Sequence, residues 1–321
     1  MNFVFLMDPL SSVVMEKDTS FILMIGARRK GHRTYFLPSE GMTLINGRLH
    51  LHVTEVIPQK IKGQEFIIKD QLRLTSGNTD AVFIRKDPPF DYQYLTHTWL
   101  LDRLPASLPV LNSPAGIRAA NEKIWATQFA AFMPSTLVGL DPVDILNFLH
   151  EQEDVVAKPT DGHGGKSVFR IQKNDRNAKV ILETLTHHYT REIVLQKFIP
   201  EAEQGDKRIL LLNGEPLGAI LRLHAENDHR NNIFSGGKPK TTRMTANDLR
   251  NIETLKPHLV RLGLYFVGID ILGDYLIEVN VTSPTCIQEI NRLYGENLEL
   301  KVMEFVEELV GRTARASSSK K

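Results

Sequence analysis

Between residues 265 and 280 the chain carries two apolar strands, 265–271 and 275–280, separated only by Leu272-Gly273-Asp274. Apolar strands seldom carry acids inward unless the acids do something. Period-two alternation places Glu278 and Asn280 on one face of the second strand, and so short a connection can bring Asp270 of the first opposite them. Two carboxylates and an amide oxygen form the hard donor set that magnesium takes alongside phosphate oxygens. On spacing alone a solvated sheet face is the alternative.

A second feature sharpens the choice. Residues 158–167, KPTDGHGGKS, form a glycine-rich turn between two strands. Gly162, Gly164 and Gly165 let backbone amides approach phosphate oxygens without side-chain interference. The stretch is not a P-loop, because position 160 is Thr where that motif requires Gly and the following residues read as a strand. Lys158 ends an apolar strand, so its ammonium needs an anion, either a nucleotide phosphate or a structural carboxylate. Gln196, Lys197, Phe198 and Ile199 end another strand and can offer backbone groups to an adenine edge, although a plain strand end reads as well. Asp206, Lys207, Arg208 and Arg222 lie on the next strands, where an arginine can grip a phosphoryl group bidentately or merely form surface ion pairs. Lys123 sits on an expected helix and by itself reads as a surface lysine.

Residues 224–240 are polar, contain Gly236-Gly237 and lack an apolar period, which suggests a loop able to close over reactants or a plain surface loop. Arg85 ends a buried strand beside Asp87-Pro88-Pro89 and is a candidate for holding a substrate carboxylate. Cys286 has no triad-like partner and reads as packing rather than as a nucleophile. His50 and His52 share a strand face without further ligands, so an exposed hairpin is the better reading.

Lys and Arg number 39 against 38 Asp and Glu in 321 residues, so no net field favours nucleic acid or an anionic membrane. A small-molecule site is expected instead. The N-terminus lacks the basic start of a signal peptide, and no segment approaches the ~20 apolar residues that span a bilayer. One cysteine excludes an internal disulfide and suits the cytoplasm.

Along the chain, the order strand 2–7, helix 20–29 and strand 34–37 suggests a parallel α/β layer. Asn46-Gly47 marks a hairpin, and 81–85 is a buried-type strand. Asp141-Pro142 opens a helix leading into strand 155–158, and Asn213-Gly214 marks a second hairpin. A long helix over 245–262 is capped by Gly263, and a C-terminal helix from about 297 to 311 precedes a tail that reads as unstructured.

Together these residues resemble the ATP-grasp superfamily, and within it the bacterial glutathione synthetase family, over residues 7–311. The resemblance rests on Met7-Asp8-Pro9, Lys17-Asp18-Thr19-Ser20-Phe21, the run Ile84-Arg85-Lys86-Asp87-Pro88-Pro89-Phe90-Asp91, Asn121-Glu122-Lys123 and Lys158-Pro159 with the glycine loop. It continues through Gly205-Asp206-Lys207-Arg208, Val267-Gly268-Ile269-Asp270 and Glu278-Val279-Asn280-Val281-Thr282-Ser283-Pro284-Thr285. The metal triplet and Lys158 are general to ATP-grasp enzymes, whereas RKDPPFD and NVTSPT are more specific to this family.

The resemblance implies an α/β fold of three parts. These are a parallel α/β substrate domain (1–120), a small α+β lid with the glycine loop (121–200) and a C-terminal ATP-grasp domain (201–311), followed by the tail 312–321. It implies ligation of γ-glutamylcysteine to glycine at the expense of ATP, with magnesium or manganese. Lys123, Lys158, Gly162, Gly164, Gly165, the segment Gln196 to Ile199, Asp206 and Lys207 would hold ATP. Asp270, Glu278 and Asn280 would hold the metal. Arg222, Arg230 and Lys158 would stabilise the charge of the reacting groups, and Arg85, Asp18, Ser20, Ser283 and Thr285 would meet the substrate. A homo-oligomer, tetrameric by analogy, is implied too. His163 and Lys166 depart from the smaller or apolar residues expected in that loop. Rival readings are an ATP-grasp ligase with other substrates, glutamate-adding or D-alanine-joining, and a non-catalytic ATP-binding module, which predicts a broken metal triplet.

Overall fold

The computed structural model describes residues 1–162, 164–223 and 237–318, arranged around three sheets. The first is built from β1 (Asn2–Leu6), β2 (Arg33–Leu37), β3 (Met42–Ile45), β4 (Arg48–Pro58), β5 (Phe66–Leu74), β6 (Ala81–Ile84) and β7 (Val110–Leu111). Strands β2-β1-β6-β7 are parallel, while β3, β4 and β5 add antiparallel pairings at the β2 side. The expected parallel layer is therefore the core of a mixed sheet. Asn46 and Gly47, both at positive φ, make the β3–β4 turn.

Both faces of this sheet are covered. Phe3, Phe5 and Phe83 point into a core with α1 (Thr19–Arg29), α7 (Ile287–Tyr294) and α8 (Leu298–Ser318), while Val4, Leu6, Val82 and Ile84 face α2 (Tyr92–Leu101) and α3 (Pro114–Ala119). Asp18 caps α1 by accepting from the Phe21 amide at 2.7 Å.

The second sheet, β10-β9-β11-β8, contains β8 (Thr136–Gly139), β9 (Asp154–Pro159), β10 (Phe169–Gln172) and β11 (Ile193–Lys197). Val155, Ala157, Ile193 and Leu195 pack on α4 (Pro142–Gln152) and α5 (Ala178–Leu185). By alternation Val156, Lys158 and Gln196 face the opposite way. Asp141 caps α4, with Pro142 in its first turn.

The third sheet, β14-β13-β12-β15-β16, contains β12 (Asp206–Leu212), β13 (Glu215–Leu223), β14 (Lys238–Thr241), β15 (Phe266–Leu272) and β16 (Tyr275–Asn280). Ile209, Leu211, Val267, Ile269 and Val279 share a core with Ile252, Leu255 and Leu259 of α6 (Ala246–Leu262). Helix α6 starts on a Thr245–Asp248 capping box and stops at left-handed Gly263. Asn112 joins the first sheet to the third: its Nδ2 donates to the carbonyls of Phe266 and Val281, and its Oδ1 accepts from the Phe266 amide.

Several expectations change. The stretch 224–240 ends in strand: Lys238 to Lys240 pair with β13, and residues 224–236, including Arg230, lie outside the described residues, as does His163. Helix α8 runs through the expected tail to Ser318. Lys123 lies in a turn preceding a 3-10 helix over Trp125–Phe132, where Asn121 Oδ1 caps the Lys123 and Ile124 amides. Among the described residues no helix is long and apolar enough to cross a membrane.

Candidate active site

A cavity of about 630 Å³ lies between the inward faces of the second and third sheets and is lined by residues of both. Its floor follows from strand register. In the third sheet Arg208 pairs across the ladder with Asp270, Asp270 with Glu278, Gly268 with Asn280 and Asp206 with Arg222. Alternation therefore places Asp206, Arg208, Arg222, Asp270, Glu278 and Asn280 on one face. All six line the cavity.

The charges there are dense and paired. Arg208 grips Asp270 with two donors, its Nη2 lying 2.8 Å from Oδ2. Arg222 donates through Nε to Asp206 Oδ1 at 2.9 Å and also approaches Asp270 Oδ2 at 3.0 Å. Burial alone would raise the Asp270 pKa, but the two guanidiniums hold it well below the carboxylate range. Burial raises the Asp206 pKa against the opposing pull of Arg222. Gly268 leaves room for this grip, since a Cβ there would lie 3.2 Å from Arg208 Cδ and 3.1 Å from Pro284 Cβ.

Two lysines enter from the other side. Lys123 Nζ lies 2.9 Å from Glu278 Oε1 and also donates to the carbonyl of Gly162, which ties the glycine turn to β16. Lys158 is buried and makes no ion pair among the described residues. Burial lowers its pKa to about 8, although Glu278 pulls the other way. An ammonium so placed is a receptor for an anion.

Glu122, read from sequence only as part of the Asn121-Glu122-Lys123 motif, braces the far end of β16. Its Oε1 accepts from the Val281 and Thr282 amides at 3.0 and 3.1 Å and from Thr282 Oγ1 at 2.7 Å. Burial raises its pKa, and nearby Glu278 adds to the effect.

The apolar end of the cavity is formed by Val156, Phe198, Ala202, Leu272 and Ile277, beside Gln196, Lys197 and Ile199. Such a slot, flanked by a strand end, suits a flat aromatic base. Arg170, missed from sequence, stacks its guanidinium 3.6 Å above the Phe198 ring and is anchored to Asp154. Gly162, Gly164 and Gly165 line the cavity, as do Lys166, Ser283 and Thr285.

Three expectations do not fit this arrangement. Lys207 points to the opposite face of β12, as alternation from Arg208 requires, and pairs with Asp248 of α6. Arg208 takes the place in the cavity that Lys207 was expected to hold. Arg85 does not line the cavity; it is buried behind it, with Nε donating to Ser20 Oγ at 3.1 Å and Nη2 to the Pro284 carbonyl at 2.8 Å. Asp18 and Ser20 lie with Arg85, and Asp18 is spent on capping α1. Cys286 does line the cavity, but burial pushes its thiol pKa up, the opposite of an activated nucleophile.

The donor set meets the requirement of a hard cation. Among the described residues no cluster of three His, Cys, Asp or Glu offers a metal cage. Two facing carboxylates and the Asn280 amide suit an ion that takes few protein ligands and completes its shell with phosphate oxygens.

Residues 1–118 match the N-terminal domain of prokaryotic glutathione synthetase, and residues 122–295 match its ATP-grasp domain. A glutathione synthetase of Agrobacterium fabrum is 37% identical over 306 residues, covering 95% of this chain and 96% of that protein. One from Synechocystis is 39% identical over 317 residues, covering 96% and 99%. Among solved structures, a D-cycloserine synthetase superposes with a TM-score of 0.66 at 16% identity, covering 96% of this chain and 99% of that one. A D-alanine–D-alanine ligase of Bacillus anthracis, complexed with ATP, superposes at 0.59 and 13% identity, covering 99% of each chain. Those two likenesses carry the fold alone. With both domain models matched in order and relatives aligned end to end, the chain belongs to the prokaryotic glutathione synthetase family and has the ATP-grasp fold.

Proposed function

We propose that the chain joins γ-glutamylcysteine to glycine, with ATP converted to ADP and phosphate through an acyl phosphate. The observation that carries this reading is the convergence of Asp270, Glu278 and Asn280 with Lys123 and Lys158 on one cavity that ends in an apolar slot. Family membership supports the choice of substrates. In this reading the adenine lies against Phe198 with its edge toward the backbone of 196–199, and Asp206 faces the nucleotide. Lys123 and Lys158 meet phosphate oxygens beneath the glycine turn. Magnesium, or manganese, would be held by Asp270, Glu278 and Asn280 and would supply positive charge to the phosphate oxygens.

The chain's own residues then position and neutralise. A dipeptide carboxylate oxygen attacks the γ-phosphorus in line, and the bond to the bridging oxygen breaks with its electron pair leaving on ADP. Arg222, beside Asp270, faces the negative charge of the acyl phosphate, and Arg230 is assigned the same task from sequence. Glycine, having lost one proton to solvent, attacks the acyl carbon; the carbon–oxygen bond breaks and phosphate leaves with the second proton. No step requires a protein nucleophile. Ser283 and Thr285 border the dipeptide end, while Arg85 fixes the Pro284 carbonyl and so the shape of that wall. A cytoplasmic homotetramer is the assembly and location we infer by analogy with the family.

The test is phosphate release from ATP and magnesium with γ-glutamylcysteine, with and without glycine. Glutathione formed only when both are present is the expected result. ATP binding without turnover on any carboxylate–amine pair would favour a non-catalytic module.

A further inference from the structure

At the apolar end of the main cavity the chain crosses from the second sheet to the third. Strand β11 ends at Lys197 and β12 begins at Asp206, with a 3-10 turn over Pro200–Gln204 between them. Among the described residues, the last backbone bond from this crossing to the second sheet is donated by the Phe198 amide to the Asp154 carbonyl at 2.9 Å. Beyond it the Ala202 amide turns back to Ile199 and the Gly205 amide to Ala202. Phe198 and Ala202 line the cavity, so a segment with little ladder support forms part of its wall.

Arg170 supplies a further tie. It pairs across the ladder with Val156, and Gln172 pairs with Asp154, so alternation puts all four on the inward face of the second sheet. The Asp154 carboxylate accepts from Arg170 Nε at 3.1 and 3.2 Å and from Nη2 at 2.7 Å. Held in that plane, the guanidinium carbon lies 3.6 Å from the centroid of the Phe198 ring, a stacked cation–π contact. Glu203 Oε1, on the 3-10 turn, lies 4.0 Å from Nη1. Asp154 therefore holds Phe198 twice, by its carbonyl and, through Arg170, by its carboxylate. The Arg170 side chain is 36% exposed, so its ion pairs contribute little energy, and what they supply is direction.

We propose that Arg170 is a positioning residue for the nucleobase: oriented by Asp154, it locks the Phe198 ring as the platform on which the base stacks. The inference rests on the nucleotide reading above and adds to it a residue that acts on the base and not on the phosphates. One face of the ring is covered by the guanidinium, which leaves the base the other. Lysine is no substitute, because an ammonium neither stacks on the ring as a plane nor takes both oxygens of Asp154 as a fork.

The experiment measures KM and kcat for ATP, together with inhibition by inorganic triphosphate, which carries the phosphates without a base. Wild type, Arg170→Met, Arg170→Lys, Phe198→Leu and the double variant Arg170→Met/Phe198→Leu are compared. Loss of a cation–π contact is worth roughly twofold to thirtyfold in affinity. Arg170→Met should raise the ATP KM by that factor, with the loss of kcat/KM carried by KM, and leave inhibition by triphosphate where it was. Arg170→Lys should resemble Arg170→Met. In the Phe198→Leu background, Arg170→Met should add nothing, since the two residues act as one unit. Triphosphate weakened as much as ATP, or the full effect of Arg170→Met persisting without the Phe198 ring, would overturn the assignment. Should Arg170→Met fail to fold, Asp154→Asn keeps the backbone carbonyl and removes the orienting charge, and an unchanged ATP KM in that variant overturns it on its own. Wild type that neither binds nor turns over ATP would instead overturn the nucleotide reading itself.

Discussion

Asp270 on β15 stands directly across the ladder from Glu278 on β16, and each carboxylate is already held by a cation, Asp270 by Arg208 and Glu278 by Lys123. A metal–nucleotide complex bound as proposed would therefore enter a site whose charges are balanced in advance. If the proposed roles hold, binding would exchange Lys123 from Glu278 to phosphate and release Glu278 to the metal. Glu278→Gln keeps the shape and removes the charge. Turnover, read as phosphate release, should fall by about 10²-fold or more, since a preorganised charge in a dry site is worth that much. Binding of metal-free ATP should persist. Wild-type turnover in this variant would dismiss the metal assignment.

Lys158 gives a pH signature. Its folded-state pKa of about 8 lies below the ordinary 10.5, so between those values the unfolded chain binds more protons and stability rises with pH. Below about 8 the cost of the buried charge is fully present. A phosphate beside Lys158 restores the charged form and raises its pKa. Nucleotide binding near pH 8.5 (about half a unit above that value) should therefore take up protons. Calorimetry in buffers of different ionisation enthalpy measures the uptake directly. Lys158→Met should abolish it and weaken ATP binding, and uptake unchanged in that variant would show that another group titrates.

Much of the site was legible in the sequence because it lies on strands, where alternation is a strict rule. Asp270, Glu278 and Asn280 fall on one face as their spacing requires. The same rule, applied between Lys207 and Arg208, would have put Arg208 in the cavity and Lys207 on α6. What the sequence could not reveal was depth. Arg85 ends a buried strand as expected, but which side of the Pro284 segment its guanidinium reaches depends on how two sheets meet, through contacts nearly 200 residues apart in sequence. Strand β5 escaped notice because Ile67 and Ile68 are exposed beside polar Lys69, Asp70 and Gln71, so neither face carries a continuous apolar row. The helix beyond residue 311 was missed because Arg, Ser and Lys dominate there and no apolar stripe announces it.

Gly268 sets the room for the Arg208–Asp270 grip. A Cβ at that position would press on Arg208 Cδ at 3.2 Å and Nη1 at 3.3 Å, with Pro284 Cβ at 3.1 Å on the far side. The guanidinium, not the buried ladder, is the part able to give. Gly268→Ala should cost about 1–3 kcal/mol of stability by overpacking. It should also lower kcat, because Asp270 loses its fixed orientation. Denaturant unfolding and turnover measured together check both, and an unimpaired kcat would mean that Arg208 does not orient Asp270.

Neighbouring Lys207 and Arg208 should separate stability from catalysis. Lys207 is paired with Asp248, which is almost wholly buried between β12 and α6, and Asp248 Oδ1 has no partner of its own. Removing the cation leaves a buried carboxylate uncompensated, a loss of about 3–5 kcal/mol by precedent for buried pairs, lowered toward the small end here because the Thr245 amide still donates to Asp248. Lys207→Met should therefore shift the denaturation midpoint strongly and leave kcat and the KM for ATP close to wild type below that midpoint. Arg208→Met frees Asp270 from its bidentate partner in the cavity, so turnover should collapse even where the folded state is fully populated. Reversal of these two outcomes would mean that Lys207 reaches the nucleotide after all and that the face assigned to β12 is wrong.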